Sequence, residues 1–182
     1  MPNAVQPPLR LVLDTNIVVA GLLWNEPPRR LIELAIEGDI VELFSSPALL
    51  DELVHTLGYA KFADRIQTSA TSVAKLTTQY ATMVSAVMPT IVPRVVTSDA
   101  DDDHVIAAAV AARAKWIVTG DLKHLLPIDS HQGIAIISAC EAVERIKALY
   151  KRQRAPSDHR YAIEKPRPIL ESAGRSSSQL PY

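Results

Sequence analysis

Short aliphatic runs alternate with helical patterns along most of the chain, and this alternation constrains the fold more than any other feature. Continuous apolar runs of three to five residues are typical of parallel strands that are buried on both faces. The predicted strands are residues 9–13, 40–44, 116–118 and 134–137, with a further extended segment at 91–96. Helices are predicted between them at 16–24, 28–37, 61–88 with a break near Gln67, 105–114 and 138–147, and from Pro47 to Leu57. The pattern indicates an α/β fold with a central, mostly parallel sheet covered on both faces.

Composition excludes several classes of site. The chain has 182 residues with 48% hydrophobic content, which suits one domain with a proper core. Its six glycines are never clustered, so a phosphate-binding loop of the Walker or dinucleotide type is excluded. A single cysteine cannot form an intrachain disulfide or a cysteine-rich zinc site. The longest apolar stretch, at 17–24, is too short to span a bilayer, and we expect a soluble cytoplasmic protein.

The composition changes after residue 150. Residues 151–182 contain seven Lys and Arg against three Asp and Glu, a net charge of +4, which leaves −5 on residues 1–150. This segment is rich in proline and serine and has little apolar periodicity. We therefore expect a catalytic or binding domain at 1–150 and a basic, poorly ordered extension at 151–182. The extension either contacts phosphates or is a solvated end.

Carboxylates recur at one edge of the predicted sheet. Asp14 and Asp121 follow strands directly, and an acidic cluster at 99–103 opens a helix. Glu52 lies beside the buried stripe of the helix after the second strand. Carboxylates crowded together repel one another unless cations neutralise them, and oxygen ligands of this kind suit Mg²⁺ or Mn²⁺. The pattern predicts a divalent metal site.

Each acidic residue also has an ordinary structural explanation. Asp14 is a suitable N-cap, Asp121 can shape a turn, and Glu52 can be a solvated helix residue. Residues 99–103 can interact with the helix dipole alone. The five histidines show no metal-ligand spacing, and His104 is the one expected to lie near the site because it adjoins the acidic cluster.

Four short motifs resemble those of the PIN-domain family. They are LVLDTN at 11–16, SPALLDEL at 46–53, DADDDHVIAAA at 99–109 and VTGD at 118–121. The resemblance covers about residues 9–147 and is strongest to the bacterial branch that acts as toxins of toxin–antitoxin systems. It implies a compact three-layer α/β/α sandwich and a ribonuclease that depends on Mg²⁺ or Mn²⁺.

The resemblance also assigns residues. Asp14, Glu52 and Asp121 carry over as acidic metal-site residues, with Asn16 and Thr119 as polar supports. In the third motif the functional position falls on Asp102 or Asp103, of which we favour Asp102, and Asp99 also matches an acidic position. The family further implies a small cognate antitoxin and a homodimer as partners.

The implied chemistry is hydrolysis of RNA without a serine or histidine nucleophile. Two ions about 3.5 to 4 Å apart would lower the pKa of bound water and offset charge on the scissile phosphate. Such cleavage leaves a 5′-phosphate and a 3′-hydroxyl. Candidate RNA contacts are Arg29, Arg30, Lys61, Arg65, Lys123 and the basic extension.

Three other functions were weighed against this one. A signalling receiver domain gathers carboxylates and Mg²⁺ in the same way, but it needs an acidic pair after its first strand, where this chain has Asp14 alone. A phosphatase of the Asp-x-Asp type fails because residue 16 is asparagine. A catalytically inactive binding module with the same fold stays open, and an activity assay decides it.

Overall fold

A computed structural model describes residues 7–25, 27–38, 40–96 and 101–154 of the chain. Its strands are β1 Leu9–Leu13, β2 Val41–Ser45, β3 Val84–Ala86, β4 Trp116–Val118, β5 Ser130–His131 and β6 Ile134–Ile137. Its helices are α1 Thr15–Leu23, α2 Pro27–Ile36, α3 Pro47–Leu57, α4 Ala60–Thr68, α5 Val73–Met83, α6 Asp102–Ala112 and α7 Ala139–Arg154, with a 3₁₀ turn at Leu126–Ile128. These elements confirm the predicted alternation.

The strands form one sheet in the order β3-β2-β1-β4-β6-β5. All described neighbours pair in parallel except β5 and β6, which form an antiparallel edge. Leu11 of β1 lies opposite Leu43 of β2 on one side and Trp116 of β4 on the other. The chain builds the sheet outward from β1 in one direction, then crosses back to β4 and continues in the other. The order therefore reverses between β1 and β4, the position at which open α/β sheets bind ligands beyond the carboxyl ends of their strands.

Alternate residues of the strands feed two separate cores. Leu11 and Leu13 belong to a cluster with buried residues of α1, α2, α3 and α7, whereas Val12 belongs to a cluster with α6. Helix α6 approaches the sheet closely because alanines occupy most of its buried positions. Helices thus cover both faces of the sheet, and the predicted α/β/α sandwich is confirmed.

Local signals explain where the helices begin and end. Ser46 caps α3, its hydroxyl accepting a hydrogen bond from the amide of Leu49 at 3.4 Å, and Pro47 occupies the first turn. Gly38 follows α2 with φ of +83°, a conformation that costs glycine little.

Residues 61–88 are helical only as far as Met83, with the break near Gln67 that the sequence predicted. Helix α4 ends at Thr68, and Ser72 caps a new helix by accepting a hydrogen bond from the amide of Lys75 at 3.2 Å. Residues 84–86 then form β3, the edge strand beside β2. The Ser72 side chain favours a new helix start over one continuous helix. Pairing with the free edge of β2 outweighs the helical propensity of residues 84–86.

Residues 91–96 are not a strand. The amides of Val95 and Val96 donate to the carboxylate of Asp103 at 2.9 and 2.8 Å. These two donors are therefore used by a side chain of α6 and are not available for pairing with a strand. The edge of the sheet beside β2 is occupied by β3.

The last helix is longer than predicted. Helix α7 continues to Arg154, so it crosses the boundary that composition suggested at residue 150. Residues 155–182, which make up most of the predicted basic extension, lie outside the described residues. In the described part of the chain, every helix is too short or too polar to cross a bilayer.

Two alanines of α6 test the close packing of this helix on the sheet. Ala109 is fully buried and Ala111 is exposed, although they lie two residues apart. We expect Ala109→Leu to lower the free energy of unfolding by about 1–3 kcal/mol because the added methylenes have no space. Ala111→Leu should change it by less than about 0.5 kcal/mol. Urea denaturation of both variants measures the difference, and equal losses would contradict the packing described above.

Candidate functional site

Asp14 lies at the carboxyl end of β1, immediately before α1. Its side chain is only 5% exposed and makes no hydrogen bond that caps the helix. Instead its Oδ2 accepts hydrogen bonds from the hydroxyl of Thr119 at 2.6 Å and from Nδ2 of Asn16 at 2.7 Å. Asp14 therefore occupies the N-cap position of α1, but its carboxylate is held in the cleft beyond the sheet and does not cap the helix.

The same polar residues join the ends of β1 and β4. The hydroxyl of Thr119 also accepts a hydrogen bond from the amide of Asp121 at 3.0 Å, and Oδ1 of Asn16 accepts one from the amide of Gly120 at 3.1 Å. A Cβ atom at residue 120 would lie 3.3 Å from Oδ1 of Asn16, so glycine allows this close approach. The motif after β4 is thus positioned against the motif after β1.

Glu52 extends from α3 toward the same cleft. Partial burial raises its pKa to about 7; the Thr15 side chain opposes this shift, and the charges of Asp14, Asp101 and Asp102 add to it. Burial likewise raises the pKa of Asp14, although its hydrogen bonds oppose the shift, and the charge of Asp121 adds to it. Mutual repulsion among these groups indicates that the site concentrates negative charge.

Asp121 forms a tight structure with the residues that follow it. Its Oδ1 accepts hydrogen bonds from the amides of Lys123 at 2.8 Å and His124 at 3.1 Å, and its Oδ2 lies 3.0 Å from Nδ1 of His124. Partial burial raises the pKa of Asp121, but these amides and the His124 ring outweigh it, so the pKa lies below its ordinary value. Asp121 therefore carries its negative charge under ordinary conditions.

Asp102 and Asp103 adjoin in sequence but occupy different environments. Oδ2 of Asp102 lies 3.5 Å from Nδ1 of His124, at the cleft. The side chain of Asp103 is 1% exposed, and its Oδ1 binds the two amides of residues 95 and 96. Asp102 therefore lies with the cleft residues, whereas Asp103 connects α6 to the preceding segment.

The expected site residues meet at one edge of the sheet with two differences. Asp14, Asn16, Glu52, Asp102, Thr119 and Asp121 converge there. Asp99 lies outside the described residues. His104 was the one histidine considered for the site from the sequence, with a structural role favoured for it, whereas the histidine in the cluster is His124. The three-residue spacing of Asp121 and His124 was the signal that could have found it.

The donor set suits a hard or borderline cation. One ligand atom from each of Asp102, Asp121 and His124 lies within 4.8 Å of the other two, all at partly buried side chains. Asp14 and Glu52 lie near this group. In addition to burial, the charge of Asp121 raises the pKa of Asp14, and the charge of Asp102 raises the pKa of Glu52. Carboxylate oxygens with an imidazole nitrogen are ordinary ligands of divalent metals, and a bound cation would offset the repulsion.

Comparison with known proteins assigns the family. A family model described as the PIN domain matches residues 10–123, well over half of the chain. The chain belongs to the PIN-domain family. The motifs around Asp14, Glu52, Asp102 and Asp121 all fall within the matched range.

The other comparisons add less. The PIN domain is also similar to a chain in the crystal structure of VapBC2 from Rickettsia felis bound to a DNA fragment from their promoter. The two share 14% identity with a TM-score of 0.45, over 71% of this chain and 98% of that one. A search of curated proteins finds no match.

The two neighbouring aspartates of this PIN domain make a matched pair of variants. Asp103→Ala should lower the free energy of unfolding by about 2–4 kcal/mol, because the buried amide of Val96 and the part-buried amide of Val95 lose their acceptor. Asp102→Ala should change it by less than about 1 kcal/mol, since lost interaction with the helix dipole is offset by relief of repulsion. Urea denaturation without metal distinguishes them, and a larger loss for Asp102→Ala would contradict these environments.

Glu52 gives a pH-dependent contribution to stability. Its pKa rises from 4.5 to about 7 on folding, so the folded protein binds more protons than the unfolded chain between these values. The free energy of unfolding therefore falls as pH rises through this window. Glu52→Gln stays neutral and removes this dependence.

The test compares melting temperatures of the wild type and Glu52→Gln in EDTA at about pH 5 and about pH 7.5. The variant should gain stability relative to the wild type at the higher pH. A difference that does not change with pH would show that the Glu52 carboxyl titrates normally.

Proposed function

We propose that this PIN domain is a metal-dependent endoribonuclease that hydrolyses RNA phosphodiester bonds. The observation that carries the proposal is the convergence of Asp14, Asp102 and Asp121 where the strand order reverses between β1 and β4. That position is the usual ligand site of an open α/β sheet, and three carboxylates are the ligands that metal-dependent nucleases need.

The proposed metal site consists of Asp14, Asp102 and Asp121, with Glu52 beside them, and takes Mg²⁺ or Mn²⁺. When bound, such an ion stabilises negative charge on the phosphate and lowers the pKa of water. The chain fixes its ligands before binding: Thr119 and Asn16 hold Asp14, and the amides of Lys123 and His124 hold Asp121. Asp103 is not included in the proposed metal site, because its Oδ1 accepts hydrogen bonds from the amides of Val95 and Val96.

RNA contacts are proposed at Lys123. Of the candidate basic residues, Arg29 and Arg30 pair with glutamates of their own helix, and Nε of Arg65 donates to the carbonyl of Leu23 at 2.8 Å. Lys61 lies over the rings of Tyr59 and Phe62. Lys123 is exposed and two residues from Asp121, so it is well placed to contact a phosphate beside the scissile one.

The biological role that we propose is the toxin of a toxin–antitoxin system, with a small antitoxin protein as its partner and a homodimer as its assembly. The motif resemblance supports this role. A receiver domain is disfavoured because the flavodoxin-like sheet has strand order 2-1-3-4-5, whereas this sheet runs β3-β2-β1-β4-β6-β5. An inactive binding module of the same family is the remaining alternative.

The activity assay uses the purified full chain and single-stranded RNA. Cleavage should require Mn²⁺ or Mg²⁺, stop with EDTA, and leave a 5′-phosphate and a 3′-hydroxyl, because water and not the 2′-oxygen of RNA is the nucleophile. Cleavage that persists in EDTA with 2′,3′-cyclic ends would overturn the metal mechanism. No cleavage under any metal condition would favour the inactive module.

Asp14→Asn is the matched variant for this assay. Asparagine keeps the shape of the side chain and the acceptor for Thr119, so the metal-free protein should be as stable as the wild type or slightly more so. RNA cleavage and the rise in melting temperature with Mn²⁺ should both shrink. Unchanged values of both would remove Asp14 from the site. Expression of the same pair of proteins in a bacterial host tests the toxin role, because growth arrest should need the Asp14 carboxylate.

A further inference from the structure

His124 contributes a nitrogen atom to a group of carboxylates. It lies in the turn after β4, and its side chain is 34% exposed. Its Nδ1 lies 3.0 Å from Oδ2 of Asp121 and 3.5 Å from Oδ2 of Asp102. The ring therefore presents one nitrogen to two of the acidic residues of the proposed metal site, Asp102 and Asp121.

The distances fit the edges of one coordination shell. Two atoms that bind the same ion at about 2.1 Å and at right angles lie about 3.0 Å apart. The separations of 3.0 and 3.5 Å between Nδ1 and the two carboxylate oxygens are close to this value. Oδ1 of Asp121 already accepts two amides, which leaves Oδ2, the atom next to Nδ1, for a cation.

We propose that His124 is a metal ligand through Nδ1 and that it biases the site toward first-row transition ions over Mg²⁺. The inference rests on the proposed metal dependence and adds the identity of one ligand and its consequence for selectivity. Imidazole nitrogen binds borderline transition ions well, whereas Mg²⁺ prefers oxygen ligands and retains its water. A shell made of carboxylates alone would show a weaker preference.

The other role for His124 is to hold Asp121 in position through a hydrogen bond. Substitution of His124 by asparagine or aspartate distinguishes the two roles. Asparagine can donate a hydrogen bond to Asp121 but removes the ring nitrogen, and aspartate supplies an oxygen ligand. A positioning role predicts that either variant weakens all ions alike, and a ligand role predicts a change in their relative affinities.

The experiment measures binding of Co²⁺ and Mg²⁺ to the full chain by calorimetry for the wild type, His124→Asp and His124→Asn. Loss of even an outer-shell partner can weaken metal binding about tenfold, so loss of a direct nitrogen ligand should lower the preference for Co²⁺ over Mg²⁺ by at least about tenfold. Pulsed electron paramagnetic resonance of bound Mn²⁺ should show coupling to a ¹⁴N nucleus in the wild type and not in the variants. His104→Asn is the matched control, and it should retain the wild-type preference and the nitrogen coupling.

Melting curves without metal establish which variants fold, and either folded variant is sufficient for the test. An unchanged Co²⁺ to Mg²⁺ preference, or a wild-type Mn²⁺ spectrum without nitrogen coupling, would overturn the assignment of His124 while leaving the metal-dependent nuclease intact. A wild-type chain that binds none of the three ions would overturn both proposals.

Discussion

The hydrogen bonds of one carboxylate oxygen of Asp14 position the polar residues that follow β1 and β4. Oδ2 of Asp14 accepts hydrogen bonds from the side chains of Thr119 and Asn16. These two side chains in turn accept hydrogen bonds from the amides of Asp121 and Gly120. These bonds join the ends of β1 and β4, two central strands with buried side chains. The position of the second acidic motif therefore depends on the first.

The cost of this arrangement is electrostatic. Glu52 and Asp14 have pKa values above their ordinary ranges because burial and neighbouring carboxylates disfavour their charged forms. Strain of this kind is typical of functional sites, where the surrounding fold keeps unfavourable groups in place. Asp103 shows the opposite use of a buried carboxylate, since its amide partners stabilise it and attach α6 to residues 95 and 96. Two adjacent aspartates thus lie in different environments, Asp102 at the proposed metal site and Asp103 in the hydrogen bonding of the fold.

The sequence predicted the central sheet and most of the acidic site because both depend on short local signals. Apolar runs predict the buried parallel strands. The residue after each run lies at the same edge of the sheet, whatever the conformation of the loops. The strand at 84–86 and the irregular path of 91–96 could not be predicted in this way, because they depend on which edge of β2 is unpaired and on the position of the Asp103 carboxylate. The three-residue spacing places His124 beside Asp121, but its approach to Asp102 depends on the tertiary contact between α6 and the turn after β4.

We propose that the carboxylates between β1 and β4 hold a divalent cation. Anomalous diffraction from a crystal of the full chain grown with Mn²⁺ tests it most directly. We predict a manganese peak within about 2.3 Å of carboxylate oxygens of Asp121 and of at least one of Asp14 and Asp102. A fully formed cleft with no peak under conditions where RNA is cleaved, or a peak bound only elsewhere on the chain, would contradict the account.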